Sequence, residues 1–251
     1  MGVSQAHGIS SGYAALDLET TGLDARTDRI VEIGVVLLDE QGNPEREWDS
    51  LVNPLRPMGA TEIHGVHGAE VAQAPSFSQL LPHVERLLHG RILVAHNARF
   101  DLGFLNEAFR RAGSPLRIPL SAAVCTMDLS RIYVPEGRHS LMAVARRAGI
   151  EIEEHHHAIT DARMCGRLLA EYLRREARGE RYATSAHSRD GREITAAAWD
   201  DARRHAAEII WPTPLFEVEF PGVRRARREP TTPGFTPGSH AAPANGSGGA
   251  A

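Results

Sequence analysis

Two carboxylates stand two residues apart at the end of an apolar segment, in the sequence Tyr13-Ala-Ala-Leu-Asp-Leu-Glu-Thr-Thr-Gly22. The apolar run is typical of a buried strand, and residues i and i+2 of a strand point to the same face. Asp17 and Glu19 therefore lie side by side, where two like charges repel each other. A hard divalent cation such as Mg²⁺, which prefers carboxylate oxygens, would neutralise them. The alternative is an edge strand that ends in two solvated acids.

Two further acids lie next to predicted apolar structure. Asp101 follows the short apolar strand predicted at 91–95 and falls in the first turns of a predicted helix, where the helix dipole alone would favour an acid. Apolar neighbours such as Phe104 make a solvated cap a poorer explanation. Asp161 falls on the apolar face of the last long helix, four residues before Cys165. A carboxylate there is costly unless it meets a cation.

Four carboxylates beside apolar structure are a set of oxygen ligands, which is typical of Mg²⁺ or Mn²⁺ sites. Two such ions about 4 Å apart stabilise an in-line displacement at phosphorus, because one activates water and the other the leaving oxygen. The run His155-His-His157 could supply a general base for that water. Consecutive side chains diverge in direction, so we expect one of the three to act. A metal site built from the three histidines is the alternative, weakened by the absence of a second His or Cys group.

The order of the predicted elements indicates the fold class. Three strands at 13–18, 29–38 and 45–52 follow one another with turn residues between them, which is typical of an antiparallel meander. Helices then alternate with short strands. We predict helices at 77–88 (capped by Ser76), 99–112, 140–148 and 157–178, and strands at 91–95 and 122–126. This order predicts an α/β fold with a mixed central sheet flanked by helices.

The domain organisation follows from changes in composition along the chain. We expect a flexible N-terminus at 1–11 and a single folded domain at 12–178. Residues 179–222 form an extension with a weak pattern, in which 193–210 could form an amphipathic helix. The segment 223–251 begins with a basic cluster and continues with Pro, Gly and Ala, which predicts a disordered tail.

Composition excludes several classes of protein. The chain has 251 residues, of which 42% are hydrophobic, and this is enough for a real core. No apolar run reaches the length of about 18 residues that a membrane helix needs, so we expect no membrane association. Cys125 and Cys165 form neither a metal-binding spacing nor a disulfide framework, and the first residues lack a signal peptide, so we expect a cytoplasmic protein. The net charge of −4 argues against a large non-specific DNA-binding surface, although not against an enzyme that holds a few nucleotides through metal ions.

Three motifs occur in a fixed order, and a known family carries the same three. They are Asp17-Leu-Glu-Thr-Thr-Gly22, His96-Asn-Ala-Arg-Phe-Asp101 and the spacing His-x-Ala-x-x-Asp that ends at Asp161. The chain resembles the DEDDh, or DnaQ-like, 3′–5′ exonucleases, and is similar to the epsilon proofreading subunit of DNA polymerase III and its free-standing relatives. The resemblance covers about residues 13–173.

The resemblance implies an RNase H-like fold and the release of nucleoside 5′-monophosphates from a 3′ end, with two divalent ions, Mg²⁺ or Mn²⁺, as cofactors. Asp17, Glu19 and Asp161 would hold the catalytic metal, with Asp17 bridging to a second ion and Asp101 acting near that ion. The family's histidine lies five residues before its last aspartate, which selects His156 as the general base. Five further residues of these motifs would contact the substrate: Thr20, Thr21, Gly22, Asn97 and Phe100. The intervening segment Ile63-His-Gly-Val66 is similar to the family as well, and it adds His64.

The substrate and the partners are less closely defined. The favoured substrate is the 3′ end of single-stranded DNA, in proofreading or repair, and a DNA polymerase or its clamp stays open as a protein partner. An exoribonuclease or oligoribonuclease-like enzyme keeps the same chemistry, because a contact to the 2′-hydroxyl decides between the two. A non-catalytic scaffold for a polymerase is the weakest alternative, since all four acids and the histidine are present.

Overall fold

The structure is a computed structural model, and it describes residues 12–152, 157–195, 198–212 and 222–224. The predicted flexible N-terminus, 1–11, lies outside the described residues. No helix in the described ranges is both long enough and apolar enough to cross a membrane.

A five-stranded mixed sheet forms the centre of the molecule. Its strands are β1 (Tyr13–Thr20), β2 (Ile30–Leu38), β3 (Pro44–Leu51), β4 (Ile92–Ala95) and β5 (Ala123–Cys125). The first three are antiparallel neighbours, whereas β4 and β5 run parallel to β1, which gives the order β3-β2-β1-β4-β5. The predicted α/β fold with a mixed sheet flanked by helices is therefore confirmed.

Eight helices surround this sheet within the described residues. They are α1 (Thr61–His64), α2 (Gly68–Val71), α3 (Phe77–Leu88), α4 (Ala98–Arg111), α5 (Thr126–Tyr133), α6 (Leu141–Arg147), α7 (Ala158–Ala177) and α8 (Ala198–Ala207). Sequence reasoning missed α5, because this helix follows β5 without an intervening loop and its N-cap is Cys125, which is not a typical capping residue.

The extension after α7 has structure of its own. Strands β6 (Ser185–His187) and β7 (Glu193–Thr195) pair as an antiparallel hairpin, and Ile194 and the Trp199 side chain of α8 are buried. The helix predicted at 193–210 is therefore wrong at its start, where the chain forms β7, and correct for α8. The reason is tertiary: pairing with β6 and burial of Ile194 override the helical pattern.

A short C-terminal segment lies against the free edge of β3. The Leu51 amide donates to the Val223 carbonyl at 2.7 Å, and the Val223 amide donates to Ser50 Oγ at 3.0 Å. Gly222 approaches so closely that a Cβ there would overlap the Asp49 carbonyl oxygen. The predicted boundary between extension and tail, at 222/223, falls inside this segment. Residues 225–251 of the predicted tail lie outside the described residues.

Candidate metal centre and nucleotide-binding site

The position of α7 is set by a glycine in the sheet. Gly34 of β2 lies directly opposite Asp17 of β1, and a Cβ at Gly34 would overlap the backbone of Ala158 and Ile159. The missing side chain lets the first turn of α7 rest on the sheet beside Asp17. Asp161, which lies in that first turn, is thereby brought to Asp17.

Three of the predicted ligands form one group of oxygen atoms. One carboxylate oxygen each from Asp17, Glu19 and Asp161 lies within 4.8 Å of the other two. Asp17 and Glu19 are partly buried on the same face of β1, and Asp161 is buried. Such spacing suits oxygen ligands around one divalent cation.

Asp101, at the start of α4, adds a fourth carboxylate, and it is buried. Its side chain accepts a hydrogen bond from the Leu18 backbone amide, which ties the motif on α4 to the end of β1. Burial raises the pKa of Asp101 from 3.8 to about 7. Burial, and then the like charges of Asp101, Asp161 and Glu19, raise the pKa of Asp17 well above its usual value. Acids held together at this cost fit a divalent cation, because its charge would remove the repulsion.

A fifth acid, Glu32, borders the cluster and was missed by sequence reasoning. It is buried, lies opposite Glu19 in the β1–β2 register, and contributes to the raised pKa of Asp17. Its Oε1 atom is 4.0 Å from His157 Nδ1. The signal was available, since Glu32 is the single charged residue in the nine-residue apolar strand β2.

The histidine run is only partly described. His155 and the predicted general base His156 lie outside the described residues. His157 is the N-cap residue of α7, and its carbonyl oxygen accepts hydrogen bonds from the amides of Thr160 (2.9 Å) and Asp161 (3.1 Å). The run therefore leads directly into the helical turn that carries Asp161.

The exonuclease family of the RNase T type matches residues 14–169, which include Asp17, Glu19, Asp101 and Asp161. The chain belongs to this exonuclease family. The resemblance to DnaQ-like 3′–5′ exonucleases is thus confirmed, as is the predicted class of enzyme, a nuclease.

Three individual proteins illustrate the similarity. The DNA polymerase III of PolC type from Bacillus cereus is 34% identical over 165 residues, which are 64% of this chain and 11% of that protein. The chain thus spans only about a tenth of that relative. Exonuclease I from E. coli, in a complex with a dT13 oligonucleotide, has a TM-score of 0.57 at 18% identity and covers 67% of this chain and 42% of its own. A 3′-exonuclease that recognises a histone mRNA stem-loop has a TM-score of 0.54 at 16% identity, covering 74% and 90%. The two solved structures support the RNase H-like fold.

The last residue of β1 and the loop after it contain three predicted substrate contacts: Thr20, Thr21 and Gly22. Thr20 Oγ1 donates to the Gly22 carbonyl at 2.6 Å, and Thr21 Oγ1 donates to Asp28 Oδ1 at 3.1 Å. A Cβ at Gly22 would overlap the Asp28 carboxylate. Both hydroxyl groups are thus engaged in shaping the loop, and Asp28, a residue that sequence reasoning missed, holds it from the other side.

His64, another predicted substrate contact, is buried in the exonuclease domain. Its Nδ1 accepts a hydrogen bond from the Val66 amide at 3.0 Å, so the proton resides on Nε2, which faces the Gly59 carbonyl at 3.2 Å. In this structure both ring nitrogens therefore hold the loop around α1. A contact to substrate stays a prediction.

Asn97 and Phe100 begin α4, close to Asp101. Asn97 is exposed, whereas Phe100 is partly buried and lies against Phe104 with ring centroids 4.9 Å apart. The preceding His96 is buried between Thr126 Oγ1 (3.0 Å) and the His139 carbonyl (2.9 Å), and burial lowers its pKa to about 4. His96 is therefore neutral and fixes the end of β4 rather than serving as a base.

Proposed function

We propose that this protein is a metal-dependent 3′–5′ exonuclease that releases nucleoside 5′-monophosphates from the 3′ end of DNA. The observation that carries the proposal is the group of oxygens from Asp17, Glu19 and Asp161, all within 4.8 Å of one another. Family membership places those residues in an exonuclease domain.

The four acids have defined parts in the proposal. Asp17, Glu19 and Asp161 would hold one divalent ion, Mg²⁺ or Mn²⁺. Asp17 would also bind a second ion, and Asp101 would act near that ion. When bound, such ions supply positive charge that stabilises the developing negative charge on the phosphoryl oxygens and acidify water. The chain's own contribution is to fix the carboxylates: β1 fixes two of them, and the turn of α7 beside Gly34 fixes Asp161.

His156 is the proposed general base. In the sequence it lies one residue before the N-cap of α7 and five before Asp161, the spacing of the histidine in the exonuclease motif. A neutral imidazole there would accept the proton of the attacking water. His157, whose Nδ1 faces Glu32, is expected to order the entrance to the acidic cluster instead.

The DNA substrate is supported by proteins of similar sequence or fold. The PolC-type relative is a DNA polymerase III, and Exonuclease I was solved with a dT13 oligonucleotide. The first of these also favours a polymerase as the partner of this chain. The similarity to a histone mRNA exonuclease keeps RNA as the second candidate substrate.

A degradation assay tests the proposal. Single-stranded DNA, duplex DNA with a 3′ mismatch, and single-stranded RNA would each carry a 5′ label and be incubated with Mg²⁺, Mn²⁺ or EDTA. We expect metal-dependent shortening from the 3′ end, fastest on single-stranded DNA. Faster shortening of RNA than of DNA would show that RNA, and not DNA, is the preferred substrate. Shortening in EDTA, or no shortening of any substrate, would contradict the proposed function.

A further inference from the structure

A concave site lies at the same end of the sheet as the acidic cluster. It is a cavity of about 510 Å³ between the start of α4, the start of α5 and the turn of the β6–β7 hairpin. Its lining includes seven polar or charged residues: Asn97, Arg99, Asp128, Ser188, Arg189, Asp190 and Arg192. Strand β4 lies next to β1 in the sheet and runs parallel to it. The cavity and the acidic cluster therefore both lie at the end of the sheet where the parallel strands finish.

The hairpin is held in place as the outer wall of this cavity. Arg99 of α4 pairs with Asp190 at 2.7 Å, and Arg192 pairs with Asp128 of α5 at 2.6 Å. Within the turn, the Ser188 amide donates to the Arg192 carbonyl at 2.8 Å. Two ion pairs thus fix the hairpin to the two helices whose first turns line the cavity. The family match ends at residue 169, before the hairpin begins.

The charges of the cavity point to an anionic ligand. Three arginines line it, against the two carboxylates of Asp128 and Asp190. Two arginines are used in the ion pairs that anchor the hairpin. Arg189 is exposed and makes no ion pair with the described residues, so its guanidinium is available to a ligand. Guanidinium groups bind phosphate oxygens in a forked geometry.

We propose that this cavity binds a backbone phosphate of the polynucleotide strand whose 3′ end lies at the acidic cluster, with Arg189 as the phosphate ligand. This inference rests on the proposed function, because the strand is its substrate. Asn97 and Arg99 stand two to four residues before Asp101, and this short separation along α4 connects the two sites. The site therefore favours substrates long enough to reach it.

Binding measurements test the cavity separately from catalysis. The variant Asp161→Asn serves as the background that prevents hydrolysis, and fluorescence anisotropy reports on a labelled DNA of about 15 nucleotides and on a trinucleotide. In this background, Arg189→Ala should weaken binding of the longer DNA about 3- to 10-fold and reduce the salt dependence by about one phosphate contact. Trinucleotide binding should not change. Arg189→Glu should show the larger loss.

Arg146→Glu is the matched control, because Arg146 on α6 is also exposed and makes no ion pair with the described residues. It should leave both affinities unchanged. Equal losses in the Arg146 and Arg189 variants, an unchanged affinity in Arg189→Glu, or an equal loss on the trinucleotide would overturn the phosphate site. The proposed function is read separately, from hydrolysis by the wild type. A wild type that binds the longer DNA through Arg189 without hydrolysing it would contradict the proposed exonuclease function. The proposed phosphate site would then still stand.

Discussion

The acids of this chain fall into two regions with opposite electrostatics. In the central cluster, burial raises the pKa of Asp17 and Asp101, and no arginine among the described residues pairs with either. On the surface, hydrogen bonds from arginines lower the pKa values of three glutamates: Glu47, Glu107 and Glu176. Arginines thus form hydrogen bonds with these three glutamates at the surface of the protein. Asp17 and Asp101 are therefore suited to a cation that binds to the folded protein rather than to an arginine of the described residues.

The sharpest test of this comparison is to remove a carboxylate from each region. Asp161→Asn should reduce hydrolysis by at least about 10⁴-fold, because loss of a metal ligand forfeits several kcal/mol of transition-state stabilisation. Single-turnover hydrolysis at saturating Mn²⁺ measures the effect, and circular dichroism checks the fold.

Glu171→Gln is the matched control on the same helix. Glu171 pairs with Arg174 at 2.6 Å and Arg175 at 2.7 Å on the surface of α7. This variant should hydrolyse at the wild-type rate. Substantial activity in Asp161→Asn, or a comparable loss in Glu171→Gln, would remove the distinction between the two regions.

The next largest effect concerns the three histidines. His156→Ala should cost about 10²- to 10⁴-fold in the single-turnover rate, the usual range for a positioned acid–base group. His155→Ala and His157→Ala should each cost much less, and the metal affinity should barely change in any of them. Rates of the wild type would be measured between about pH 5.5 and 9. They should fall as the pH is lowered, because the histidine base becomes protonated. If His157→Ala is the inactive variant, the assignment is wrong by one residue.

These acids illustrate what the sequence could predict. Strand periodicity placed Asp17 and Glu19 on one face, and helical phase placed Asp161 on a buried face, because both signals are local. The contact that joins them was not predictable in that way. It depends on Gly34. A glycine inside an apolar strand predicts that another backbone segment approaches closely, but it does not identify that segment. The identity of the approaching element, α7, comes from packing over more than a hundred residues of separation.

The extension after α7 shows the same limit, since contacts between distant residues leave no local pattern in the sequence. Its helical pattern was visible, and α8 is present at Ala198–Ala207. The hairpin before it was not predicted, since two three-residue strands carry too little periodicity to stand out. The hairpin is held by Arg99–Asp190 and Arg192–Asp128, and such ion pairs leave no trace in the local sequence.

Metal-free stability should depend on pH in a way that the cluster dictates. The pKa of Asp101 is about 7 in the folded protein and 3.8 as a free side chain, so the folded state retains a proton that the unfolded state releases. The free energy of unfolding should therefore fall as the pH rises from about 4 to about 7, by an amount on the order of a few kcal/mol. Urea unfolding in EDTA across this range measures it.

Two observations would sharpen this result. Asp17→Asn should be as stable as the metal-free wild type at neutral pH, or more stable, because one like charge is removed. Addition of Mg²⁺ should raise the melting temperature of the wild type more than that of the variant, since the ion binds only the folded state. A variant that melts well below the metal-free wild type would show that the cluster is not strained.

The smallest effect, and one of opposite sign, is expected on the surface. Arg163 of α7 and Glu47 of β3 approach to 2.6 Å, and the hydrogen bond from Arg163 is the main cause of the lowered pKa of Glu47. A depressed carboxyl pKa contributes stability that is present above about pH 4.5 and is lost as the pH falls through the folded-state pKa. Both side chains are about one-third exposed, so solvent screens the pair. A double-mutant cycle with Glu47→Gln and Arg163→Gln should therefore give a coupling of about 1 kcal/mol or less.

This coupling should weaken with added salt and vanish at low pH, whereas the penalty from Asp101 grows with rising pH. A coupling that grows as the pH falls would contradict the opposition of the two regions, because it would mean that ionised Glu47 is not the form that stabilises the fold.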